Sequence, residues 1–148
     1  MTEPTLESVP LRYDHLPATH FIHRAEMRTM TTPASSGVDA MIEIDVTDDT
    51  TNRAGGLQGG MVATLIDCAA GSAVRHRVGS ENGFATQDLV IHYLAAVRQG
   101  PARAIARIRK AGGRAVIVQV EVVDMGDGER LCALGTATFV LLGERRSS

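Results

Sequence analysis

The sequence predicts an α+β fold in which a curved antiparallel β-sheet wraps one long central helix. Three observations carry that expectation. A proline-free apolar segment spans residues 60–77, and Gly79 closes it. It is apolar nearly all round, with Met61, Val62, Ala63, Leu65, Ile66, Cys68, Ala69, Ala70, Ala73 and Val74, so it must be enclosed rather than laid on a surface. Four strand-like runs follow, joined by short turns, and short turns mean antiparallel pairing.

In chain order, residues 1–14 read as a loose tail rich in Pro, Glu, Ser and Thr, and residues 15–148 as a single domain. Residues 14–33 hold one short helix or the start of a strand. His20 and His23 within them read as exposed side chains, because no Cys, Asp or third His completes a metal site. Residues 37–46 alternate as a half-buried strand. Val38, Ala40, Ile42, Ile44 and Val46 share one side, and Asp39, Met41, Glu43 and Asp45 the other. A polar, Gly-rich loop leads into the helix. The later strand runs begin at Phe84, Ala102, Arg114 and Arg130, with "RQGP", "AGG" and "MGDGE" as the turns between them. Such a sheet has open edges and leaves one end of the helix to be covered, which favours oligomers.

Composition narrows the function classes. The length of 148 residues suits one domain, and 44 % hydrophobic residues can form a real core. A net charge of −2 without a basic face argues against a nucleic-acid partner. No run approaches the ~20 apolar residues of a membrane span. The N-terminus has neither the basic start nor the apolar run of a signal peptide. Cys68 and Cys132 read as buried free thiols of a cytoplasmic protein, with a disulfide or a thiol nucleophile as the alternatives.

The stretch "NRAGGLQGGMVATLIDCAAGSAV", residues 52–74, carries the chemistry. It places one acid, Asp67, in the most apolar segment of the chain. Burying an unpaired carboxylate costs several kcal/mol, so core stability alone would favour Leu or Ala. Spacing makes the segment more specific. Asn52 precedes Gln58-Gly59-Gly60 by six residues, Asp67 follows Gln58 by nine, and Thr86 opens the next strand. In this register the chain resembles the hotdog-fold acyl-CoA thioesterases, in particular the phenylacetate-pathway (PaaI-like) type. The resemblance runs from about residue 37 to 142 and includes Gly113-Arg114 and the final "GTATFVLL". One position departs from it: the family's His-Gly-Gly has Gln58 in place of its His.

The residues themselves allow matching chemistry. Gly59 and Gly60 stand at the helix start, where free amides and the helix dipole can receive a carbonyl oxygen that becomes an oxyanion. The alternative is a plain Gly-rich turn. Asp67 can attack a thioester carbon or activate a water; the alternative is a structurally hydrogen-bonded acid. Asn52 can bond the carbonyl or the water, or simply belong to a polar turn. Thr86 can orient Asp67, or be an ordinary strand threonine. Gln58 can donate a hydrogen bond near substrate but cannot act as a general acid. His76 and His92 read as surface residues. Arg98, Arg107, Arg109, Lys110 and Arg114 are candidates for the phosphates of coenzyme A.

Gly59 and Asp67 are eight residues apart on one helix, about 12 Å along its axis. Reacting atoms must approach to ~3–3.5 Å. If both residues act on one thioester, they come from different subunits, as the resemblance also implies. The expectation is therefore an acyl-CoA thioesterase without metal or cofactor, acting as a homodimer and further as a dimer of dimers, with acyl-CoA as partner and neither nucleic acid nor membrane. A non-catalytic acyl-CoA sensor is the alternative raised by Gln58. A hotdog dehydratase is a weaker third, because no His is placed to pair with the acid.

Overall fold

A computed structural model describes residues 6–144. Its strands are β1 (Ser8–Pro10), β2 (Arg28–Met30), β3 (Ala40–Ile44), β4 (Asn82–Tyr93), β5 (Ala102–Gly112), β6 (Ala115–Asp124) and β7 (Arg130–Glu144). They form one antiparallel sheet in the order β1-β2-β3-β5-β6-β7-β4. Helix α1 (Phe21–Arg24) is a single turn, whereas α2 (Gly59–Val78) is the long helix that the sheet curves around. This is the hotdog arrangement the sequence led us to expect.

α2 ends where a residue with positive φ is needed: Gly79 has φ +86° and its amide bonds back to Arg75. The helix buries Val62, Leu65, Ile66, Ala69, Ala70, Ala73 and Val74 against alternate residues of β3, β5, β6 and β7. Close approach to β7 depends on Gly135, where a Cβ would lie 2.7 Å from Ile66. Met61, Ala63, Asp67 and Cys68 remain half-buried. The sheet thus encloses one face of α2 and leaves a flank open.

Three expectations need correction. Residues 8–14 are not loose, because β1 pairs with β2 and both Leu11 and Tyr13 pack on the core. The β1 residues are exposed and held by backbone pairing to β2, a long-range contact that the sequence does not reveal; residues 1–5 lie outside the described residues. The ambiguous stretch 14–33 holds both a helical turn and a strand. In β3 every residue is buried, including Met41 and Glu43, assigned above to the open side. Glu43 is covered because the strand register sets it between Arg28 and Arg103, with ion pairs of 3.2 and 2.7 Å.

The two sheet edges differ. β1 offers only three residues. β4 offers twelve, and among the described residues it pairs only with β7. Near its C-terminal end Val90, Tyr93 and Leu94 are 54 %, 56 % and 54 % exposed. A long edge with unpaired backbone groups is a template on which a further strand can pair.

Candidate active site

Asp67 stands on the open flank of α2, and Thr86 Oγ1 donates to its Oδ1 at 2.9 Å. A bulge produces this meeting. The β4–β7 register shifts between Thr86 and Asp88, so Gln87 is an extra residue. Phe84 and Thr86 face the helix before the bulge, and Leu89, Ile91 and Tyr93 face it afterwards. Tyr93 then reaches the helix start, where its hydroxyl donates to the Gly59 carbonyl at 2.8 Å. β4 therefore touches α2 at two chemically distinct points, Asp67 in mid-helix and Gly59 at the helix start.

At the Gly59 end, Gln58 caps the helix with its backbone: its carbonyl accepts from Met61 and Val62 at 2.8 and 3.1 Å. Gly59 and Gly60 occupy the first two helical positions, whose amides have no partner within a helix. The Gln58 side chain is exposed and makes no capping bond. Asn52 shapes the approach. Its Oδ1 accepts from the amides of Ala54 and Gly56 at 2.9 and 3.3 Å, while its own amide donates to the Gly56 carbonyl at 2.8 Å. Its side-chain oxygen and backbone amide thus hold the loop, which leaves the side-chain nitrogen Nδ2 as the group available to a ligand.

Beside Asp67 a cavity of about 440 Å³ opens between α2, β4 and β7. Phe84 and Phe139 wall it, and Leu11 and Tyr13 cover it from the N-terminal segment. His23 anchors that cover. It is buried, accepts from the Tyr13 amide at 3.0 Å through Nε2, and bonds the Pro17 carbonyl at 3.1 Å through Nδ1. This corrects the reading of His23 as exposed; His20 instead caps α1. Cys68 also lines the cavity, but burial and the charge of Asp67 push its thiol up to about 11, despite an opposing Tyr13 hydroxyl. A thiol held so high is scarcely ionised near neutral pH and is a poor nucleophile. The Tyr13 hydroxyl is itself raised, first by burial and then by Cys68.

Within the chain the predicted residues fall into two groups. Asp67 and Thr86 are together at the middle of the helix, whereas Asn52, Gln58, Gly59 and Gly60 lie at its start. Of the basic candidates, Arg107 is bound to Glu121 and Arg109 to Gln119, and Arg98 donates to the Ala54 carbonyl. Arg114 is exposed in the β5–β6 turn, and its carbonyl accepts from Leu141. Because Ala115 pairs with Val140 and Val140 with Ala85, Arg114 lies at the Thr86 end of the sheet. His76 and His92 are exposed. Sequence reasoning missed Tyr93, Tyr13, Phe84, Phe139 and Arg75. Arg75 had a legible signal: with Asp67 and Gly71 it repeats every fourth residue, one stripe of a helix.

Comparison with known proteins gives this architecture a family. The Thioesterase superfamily pattern matches residues 54–131, more than half of the chain, and the protein belongs to that family. It is 30 % identical over 90 residues to SSO2140 of Saccharolobus solfataricus, a protein named provisionally as an esterase. That match covers 61 % of this chain and 63 % of the relative, so the chain spans less than two thirds of the relative's length. The BH2602 protein of Bacillus halodurans, whose crystal structure contains CoA, is 28 % identical, with a TM-score of 0.63 and coverage of 69 % of this chain and 66 % of that one. Thioesterase HI1161 of Haemophilus influenzae shares the fold at 16 % identity, with a TM-score of 0.76 and 85 % of both chains covered.

Proposed function

We propose that the protein hydrolyses acyl-CoA thioesters, as a phenylacetate-pathway-type member of its family. The observation that carries this reading is the Asp67–Thr86 pair, an oriented carboxylate lining a largely apolar cavity. Asp67 takes a proton from water, or attacks the thioester carbon itself. Thr86 holds the carboxylate in place. The carbonyl oxygen lies at the Gly59 amide, where the helix N-terminus stabilises its growing negative charge. Gly60 permits close approach, Gln58 and the Asn52 Nδ2 flank the thioester, and Arg114 faces the CoA phosphates. The carbon–sulfur bond breaks, and the products are a carboxylic acid and free CoA.

β4 supports a composite site. Its open edge, paired antiparallel with the same edge of a second copy and centred on Val90, sets Leu89 opposite Ile91 and, with the bulged Gln87 passed over, Thr86 of one protomer opposite Tyr93 of the other. Thr86 marks Asp67 and Tyr93 marks Gly59. Two-fold pairing therefore brings the acid of one chain to the free amide of its partner, twice per dimer. This resolves the ~12 Å separation along one helix. Dimers pair again into a tetramer, and the protein acts in the cytoplasm.

The test is thiol release across a panel of acyl-CoAs. Hydrolysis well above background is the expected result. Tight binding without turnover of any member would replace the enzyme with a sensor.

A further inference from the structure

The cavity beside Asp67 has a direction. Asp67, Gly71 and Arg75 form one stripe of α2 spanning about 12 Å, and all three line it. At Gly71 a Cβ would make ordinary contact with the rings of Phe84 and Phe139, 3.9 Å away, so glycine leaves that space to the cavity. The result is a trough with the acid toward one end, aromatic walls and a cation toward the other.

Arg75 has more donors than its structural role uses. Its Nη1 donates to the carbonyls of Gly79, Ser80 and Asn82 at 3.0, 3.3 and 2.7 Å, which caps the helix end. Its guanidinium carbon stands 4.5 Å from the centre of the Phe84 ring. A guanidinium carries five N–H groups. Among the described residues, Nε and Nη2 have no acceptor, and no carboxylate lies within ion-pairing distance of Arg75. The Ser72 hydroxyl lines the same cavity. A neutral acyl chain filling the trough would strip water from this cation and return nothing, which is costly. An acyl chain ending in a carboxylate would meet two free, charge-assisted donors.

We propose that the trough selects ω-carboxyacyl-CoA thioesters, with the thioester at Asp67 and the terminal carboxylate at Arg75. This rests on the acyl-CoA hydrolase reading above and adds the substrate class to it. Water adds to the thioester carbonyl, the carbon–sulfur bond breaks, and the departing sulfur is protonated. The products are a dicarboxylate and CoA.

The test compares suberoyl-CoA with octanoyl-CoA, and adipoyl-CoA with hexanoyl-CoA, by kcat/KM and by calorimetric Kd. Wild type should favour the carboxylated member of each pair by about tenfold or more, the effect of one charge-assisted contact. Arg75→Gln should remove most of that preference, chiefly through KM, and Arg75→Lys should restore part of it. Equal handling of both members by wild type would overturn the proposal, as would an equal loss on both in Arg75→Gln. If the Arg75 variants fail to fold, the wild-type contrast alone decides. Binding separates the two claims. A contrast in Kd without turnover would sink the hydrolase reading and keep this one, whereas turnover without any contrast would do the reverse.

Discussion

Mixing two damaged proteins should restore activity that neither has alone. The perturbations are Asp67→Asn, which removes the proton acceptor, and Gly59→Val, which crowds the amide at the helix start. A Cβ on Gly59 would lie 3.7 Å from the Tyr93 ring, an ordinary contact, so the backbone tolerates it while the γ-methyls fill the carbonyl position. Each homodimer then carries two broken sites. In a heterodimer one site receives both lesions and the other receives neither, because the proposed composite site draws Asp67 from one chain and Gly59 from the other. Random reassociation makes half of all dimers mixed, and each has one of two sites intact. Activity should therefore return to about a quarter of wild type by symmetry. The assay is thiol release after joint unfolding and refolding, with heterodimers counted by mass. No recovery when heterodimers are present would refute the composite site.

Thr86→Val should lower kcat by about tenfold, the worth of one hydrogen bond to a charged group, with an unchanged urea midpoint because Thr86 is exposed; an undiminished kcat would remove Thr86 from the site. Gln58→His should fold normally, since the side chain makes no capping bond, and should equal or exceed wild-type turnover; a folded but inactive variant would mean a site rebuilt around the amide. Asp124→Asn should cost about 2 kcal/mol or more in urea unfolding at neutral pH. Burial works to raise the Asp124 carboxyl, but the amides of Arg98, Gln99, Gly100 and Gly126 together hold it below its ordinary value. Its contribution is thus fully present above the ordinary aspartate range near pH 4 and lost as pH falls through the lower folded value. The mutant and wild-type stabilities should converge in acid, and a constant gap down to the lowest pH at which both fold would contradict the assignment.

The helix, its Gly79 stop and the four later strands were legible because each rests on local periodicity and turn chemistry. The Asp67–Thr86 contact was legible through family spacing. Tyr93 was not: it stands seven residues after Thr86, an odd interval that a regular strand puts on opposite faces. Only the bulge at Gln87 turns both toward α2, and no residue in "FATQDLV" announces it. Burial of Glu43 depended on the register of β2 and β5, and burial of His23 on the path of residues 11–17, both long-range facts. The cover formed by Leu11 and Tyr13 was hidden by a polar composition that reads as disorder. Arg75 shows the opposite case. Its four-residue spacing from Gly71 and Asp67 was plain, but its meaning needed the aromatic walls.

The account stands most directly on Asp67, and the decisive measurement is the turnover of Asp67→Asn with the best acyl-CoA, in protein shown to be folded. The substitution keeps the shape of the side chain and one oxygen that can accept from Thr86, and removes the base. Turnover should fall at least about a hundredfold, while the Kd for the same acyl-CoA stays within a few fold. Wild-type turnover in the Asn variant would contradict the account and leave Asp67 a structural residue.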